Sequence, residues 1–170
     1  MKKFKINNTT KLVILFTIML FSTLTEAQDR EYKFSTSIFV DPYAAEKDGF
    51  NIGVSADYQM NLMYFKAQLF SFPDLNGISY TEITGTPIGF NYHSPWDEYR
   101  IYGGIKLGFI YRQGLHGTVG LEGGLDINVT KTFFIGLMSS YDYRNDGRVW
   151  DADAESYMRL SGFLRVGVRF

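Results

Sequence analysis

From Tyr32 onward, apolar and polar side chains alternate with a period of two, and no stretch holds a helical period for long. That pattern constrains the fold more than any other feature, because only a strand sends successive side chains to opposite faces. Eight runs carry it. In the first, Tyr32, Phe34, Thr36, Ile38 and Val40 oppose Lys33, Ser35, Ser37 and Asp41; in the second, Ile52, Val54, Ala56 and Tyr58 oppose Gly53, Ser55 and Asp57. The third, Leu62 to Phe72, sets Met63, Phe65, Ala67 and Leu69 against Tyr64, Lys66 and Gln68. The fourth, Ile78 to Tyr92, puts Ile88, Phe90 and Tyr92 on a face with Thr84 and Thr86. In the fifth to seventh, Ile101, Ile105, Leu107, Leu121, Leu125, Ile135 and Leu137 oppose Arg100, Lys106, Glu122, Asp126, Asp142 and several glycines. The last run, back to Tyr157, ends with Leu164, Val166, Val168 and Phe170 opposing Ser161, Arg165 and Arg169.

The connections alternate as well. Short ones follow the even runs, near residue 60, at 93–97 and at 130–131. Longer or more polar ones follow the odd runs, at 44–49, 73–77, 113–117 and 144–156. Eight strands in an up-and-down meander leave two unprotected edges, and closure into an antiparallel barrel removes both.

Residues 1–27 read as a cleaved secretory signal peptide, and residues 28–170 as the barrel domain. Lys2, Lys3, Lys5 and Lys11 precede an apolar run from Leu12 to Leu24, with Thr25 and Ala27 supplying small residues before the cut. Such a run falls short of the ~20 residues a spanning helix needs. Loss of four lysines and Glu26 leaves a mature chain of formal charge −4. A net acidic chain offers phosphates no attracting field, which excludes nucleic acid as a partner. With no cysteine, the chain has no disulfide, no thiolate metal site and no lipidated Cys.

Alternation alone does not say which face is inside. A soluble lipocalin-like barrel turns its apolar set inward around a ligand, whereas an outer-membrane barrel turns it toward lipid. Three features favour lipid. The polar face carries Gly104, Gly108, Gly120 and Gly124, small enough for a narrow eight-stranded interior. Its charges are arranged to neutralise one another in a packed polar lumen: Lys106 falls roughly opposite Glu122 and Asp142 opposite Arg159, with Asp126, Arg165 and Arg169 on the same face and Lys66 and Asp57 as further members. Aromatics collect at two levels, Tyr32, Tyr58, Tyr92, Trp96, Tyr99, Phe133 and Phe170 near the short turns, and Tyr80, Tyr111, Tyr141 and Tyr143 near the long loops. One residue departs: Glu82 has lipid-facing parity in the fourth run and is expected to project above the membrane.

A signal peptide, eight alternating strands and a final strand ending on Phe170 together resemble the small outer-membrane β-barrel superfamily, of the OmpX type or the OmpA membrane-domain type. The "EAQ" cleavage context is similar to that of exported proteins of Bacteroidota-like bacteria. The resemblance implies an all-β, eight-stranded, up-and-down transmembrane β-barrel in the bacterial outer membrane. It also implies Phe170 as the assembly signal read by the barrel-assembly machinery, and outer-membrane lipid and lipopolysaccharide as surroundings of a monomer.

Little in the chain suggests chemistry. Some small barrels modify lipid A with a His, a Ser and an acid, and the histidines available are His93 and His116. His93 has Ser94 and Asp97 beside it but sits in a short turn, where a turn-capping role is expected; His116 has no neighbouring Ser. Asp142, Asp146, Gly147 and Asp153 match some positions of a calcium loop, but Arg144 stands where an oxygen ligand is needed. Eight strands leave a lumen about filled by its own side chains, which argues against a pore. The expectation is a non-enzymatic barrel with no catalytic, cofactor or metal residues, serving the envelope or surface interactions through its outer loops. A secreted lipocalin-like binder ranks second, and a lipid A-modifying barrel enzyme third.

Overall fold

The computed structural model describes residues 33–75, 77–146 and 156–170. Residues 1–27, read above as a signal peptide, Tyr32, and Gly147 and Asp153 of the calcium-loop reading lie outside the described residues. The strands are β1 (Phe34–Val40), β2 (Ile52–Gln59), β3 (Met63–Leu75), β4 (Ile78–His93), β5 (Tyr99–Tyr111), β6 (Leu115–Asn128), β7 (Phe133–Arg144) and β8 (Tyr157–Arg169). Each pairs antiparallel with its sequence neighbour, and β8 pairs with β1 to close the barrel. At the seam the Phe34 N–H donates to the Phe170 carbonyl at 3.1 Å, and the Phe170 N–H to the Phe34 carbonyl at 2.9 Å.

The apolar set faces out. Ile101, Leu121, Leu137, Leu164 and Val166 are all exposed on the outer wall, while Ser35, Asp57, Lys66, Arg100, Glu122 and Arg165 are buried inside. No helix among the described residues is long and apolar enough to cross a membrane; any crossing is made by strands. Close packing within the lumen explains the glycines on its face. A Cβ on Gly124 would overlap the Tyr102 ring and the Leu137 carbonyl, so only glycine lets that tyrosine cross the interior.

β4 corrects the sequence reading. Glu82 is buried in the lumen, together with Tyr80, Thr84 and Thr86, and does not face lipid. The cause is a bulge: Gly85 pairs with Leu107 but Ile88 with Ile105, so β4 holds one residue more than β5 across that interval. Lys66↔Thr86 and Tyr64↔Gly89 show the same extra residue against β3. Pro87 sits in the interval; without an N–H to donate it fits a bulge, and the inserted residue reverses the parity beyond it. Tyr80 therefore leaves the expected outer aromatic level and becomes a lumen residue.

The 44–49 connection, expected as a loop, contains a helix of about two turns, α1 (Pro42–Asp48). Pro42 occupies its first turn, and the Asp41 carboxylate caps it by accepting the Ala44 N–H at 2.9 Å. Asp41 and Asn51 tie the ends of the excursion together, with the Asp41 N–H on Asn51 Oδ1 at 2.7 Å and Asn51 Nδ2 on the Asp41 carbonyl at 2.9 Å. Ala44 is buried against an aromatic cluster at the outer end of the lumen, where Phe39, Phe70, Phe72 and Phe163 stack edge to face or in parallel.

Candidate functional site

Ten of the buried charged side chains form three tiers in the interior. Nearest the short-turn end, Arg100 and Arg165 face Asp57 and Asp126. Arg100 Nη1 lies 3.0 Å from Asp57 Oδ2 and 3.4 Å from Asp126 Oδ2, and Arg165 reaches the same carboxylates at 3.4 and 3.6 Å. The Tyr102 hydroxyl accepts from Arg165 Nη1 at 2.7 Å, and the Arg100 guanidinium lies 4.5 Å from the Tyr102 ring centre. Aromatic faces thus take up part of the cationic field that the carboxylates do not.

The middle tier is one pair. Lys66 Nζ lies 2.7 Å from Glu122 Oε1, which also accepts from the Tyr64 hydroxyl at 2.7 Å, while Gln68 donates to Oε2 at 2.5 Å. In the outer tier Lys106 Nζ bridges Glu82 at 2.7 Å and Asp142 at 2.9 Å. Arg144 meets the same two carboxylates at 2.7 and 3.6 Å, and Tyr80 and Ser140 donate to Glu82 and Asp142. Each tier carries as many cations as carboxylates, so each is formally neutral, as charges removed from water need to be.

Lys106, Glu122, Asp126, Asp142, Arg165 and Arg169 are all buried on the lumen side, and Arg159 is half-buried on the same face. Their partners differ from expectation in one place. Lys106 stands opposite Gly120, and Glu122 opposite Gly104, because the β5–β6 ladder continues through the expected turn to Tyr111↔Leu115. The tighter turn shifts the register by two residues, giving Lys106 to Glu82 and Asp142 and leaving Glu122 to Lys66. Asp142 does stand opposite Arg159. Arg169 approaches Asp97 at 3.5 Å. Phe170, outside the wall, stacks on Phe34 with 6.4 Å between ring centres. Glu82, Arg100, Arg144 and the three tyrosines are members that alternation alone does not assign to the network; Arg100 has the right parity, and Arg144 stands where the outer loop is expected to begin.

The serine beside His93 serves a turn. Ser94 Oγ accepts the N–H groups of Glu98 and Tyr99 at 2.7 and 3.2 Å, capping the β4–β5 turn, and His93 Nδ1 lies 3.4 Å from Asp97. His116 stands on β6 opposite Ile110.

A closed meander of eight strands with an outward apolar wall and a charge-balanced interior has the fold of the small outer-membrane β-barrels, in which such a wall faces lipid. Solved structures carry the same fold. The crystal structure of Neisserial surface protein A aligns over 81% of this chain and 96% of its own, with TM-score 0.50 and 16% identity. The N-terminal β-barrel domain of Pseudomonas aeruginosa OprF aligns over 81% and 96%, with TM-score 0.54 and 14% identity. No protein-family model and no curated protein matches the chain.

Proposed function

We propose that this barrel is a non-enzymatic component of the outer membrane, with an envelope-structural or surface-interaction role exercised through its outer loops. The observation that carries the reading is the interior: among the described residues, each tier of buried charges sets its cations against an equal number of carboxylates within the lumen. A lipocalin-like binder would need the apolar residues inside, opposite to their position here. The surroundings this reading calls for are outer-membrane lipid and lipopolysaccharide, reached by way of the barrel-assembly machinery, with the aromatic β8 strand through Phe170 as the part presented to it.

The test compares cells lacking the protein with cells carrying a version deleted for 144–156. Loss of detergent resistance or of surface binding in either strain, with an unchanged lipid A mass profile, supports the reading. A lipid A profile altered by His93→Ala or His116→Ala would replace it with the lipid-modifying enzyme.

A further inference from the structure

The barrel wall is incomplete at one point. β1 is 7 residues long and β8 is 13. Their ladder runs from Ser35↔Arg169 to Val40↔Leu164 and stops. The reciprocal hydrogen bonds of Phe34 and Phe170 fix the phase, so even-numbered residues of β8 turn their N–H and C=O groups toward β1. One step above Val40↔Leu164, the residue that would stand opposite Gly162 is Pro42. Proline has no N–H to give, and there the chain leaves the wall to form α1. The main-chain groups of Gly162 and Leu160 therefore face α1 and not a strand. The β1–β8 ladder itself gives them no strand partner, since it ends at Val40↔Leu164.

The edge lies at lipid depth. Gly162 stands eight residues from Phe170, roughly 20 Å up a strand tilted by about 40°, inside the ~25 Å apolar band of such barrels. Tyr141 and Tyr143, opposite Leu160 and Met158, mark the outer headgroup level just above. Hydrocarbon offers nothing to a main-chain donor or acceptor, so an open edge here needs a partner that brings its own polar groups.

A cavity of about 580 Å³ lies against this edge. It is lined by Leu160, Gly162, Ser161 and Arg159 of β8, by Ser139 of β7, and by Tyr43 and Asp48 of α1. A Cβ on Gly162 would meet nothing within 4 Å, so the strand can be approached closely there.

We propose that this gap binds a lipopolysaccharide molecule of the outer leaflet. Its amide and hydroxyl groups, close to the headgroup, hydrogen-bond the β8 edge at Leu160 and Gly162, and an acyl chain runs down the wall past Leu164. The lining matches such an amphiphile: Ser139, Asp48 and Arg159 are polar, whereas Leu160 and Tyr43 are apolar and strongly exposed, at 72% and 64%. A phospholipid carries no amide or hydroxyl at the head of its chains, and an extended peptide has no chain to lay along Leu164. The proposal rests on the outer-membrane reading above.

The test is amide hydrogen exchange on the full barrel in nanodiscs of phosphatidylethanolamine alone and of phosphatidylethanolamine with lipopolysaccharide. Lipopolysaccharide is expected to slow exchange at Leu160 and Gly162 by ~10-fold or more, while Val166, paired with Ile38, is protected in both. Gly162→Phe, which fills the gap, is expected to abolish the effect at Leu160 and leave Val166 protected. Fast exchange in both membranes means water alone serves the edge, and equal protection in both means phospholipid or the chain itself does; either overturns the proposal. Loss of protection at Val166 in both membranes would instead contradict the inserted barrel on which the proposal rests.

Discussion

The middle tier gives the sharpest test of a sealed interior. Lys66 and Glu122 have side chains 0% and 1% exposed, 2.7 Å apart. At an effective dielectric of about 20 their attraction is ~6 kcal/mol, largely offset by the cost of removing both from water. Lys66→Met leaves the Glu122 carboxylate without its cation, held by neutral donors such as the Tyr64 hydroxyl and the Gln68 amide. That variant should lose ~3–5 kcal/mol of unfolding free energy. Glu122→Gln should lose less, because the ammonium still lies 4.8 Å from the Tyr102 ring centre and 3.4 Å from Met138 Sδ. The double variant removes both charges and should return to within ~1–2 kcal/mol of the parent, giving a coupling of ~2 kcal/mol or more. The assay is equilibrium urea unfolding in phospholipid vesicles, read by the gel mobility difference between folded and unfolded barrel. Additive single effects below ~1 kcal/mol would refute the reasoning, since they are what a water-filled lumen gives.

Three other outcomes follow from the geometry. A small fluorophore attached to single cysteines introduced into this cysteine-free chain at 83, 88 and 90 should be quenched by a spin label confined to the lipid phase, and one at 82, 84 or 89 should not; quenching at 82 would remove the bulge at Pro87. Gly124→Ala should destabilise by ~1–3 kcal/mol through overlap with Tyr102, whereas Gly162→Ala, with nothing within 4 Å, should unfold at the parent's urea midpoint. Leu121→Arg, on the outer wall, should cost ~2–4 kcal/mol if it lies near the bilayer midplane, with the same unfolding assay as readout.

The parity of seven strands was legible because each strand is half-buried, and a period of two needs no knowledge of its neighbours. β4 was not, since one residue inserted beside Pro87 reverses the faces while leaving the composition of the run unchanged. That reversal put Glu82 and Tyr80 on the wrong side. Membership of the lumen set could be read from alternation, but partners could not. Lys106 finds Glu82 and Asp142 on separate strands, and Lys66 finds Glu122 three strands away, across a lumen whose stagger depends on turn lengths. The expected Lys106–Glu122 pair failed for the same reason, a turn tighter than the polar run suggested. α1 escaped notice because its 7 residues are too few to display a helical period. Its start is nevertheless written in Asp41-Pro42, a cap followed by a first-turn proline.

The central claim is that the apolar face of this barrel meets lipid. Cell fractionation tests it most directly. The account predicts recovery in the outer-membrane fraction, resistance to carbonate and urea washing, release only by detergent, and a folded form whose gel mobility changes on boiling. Recovery of folded protein in a soluble fraction without detergent would contradict it.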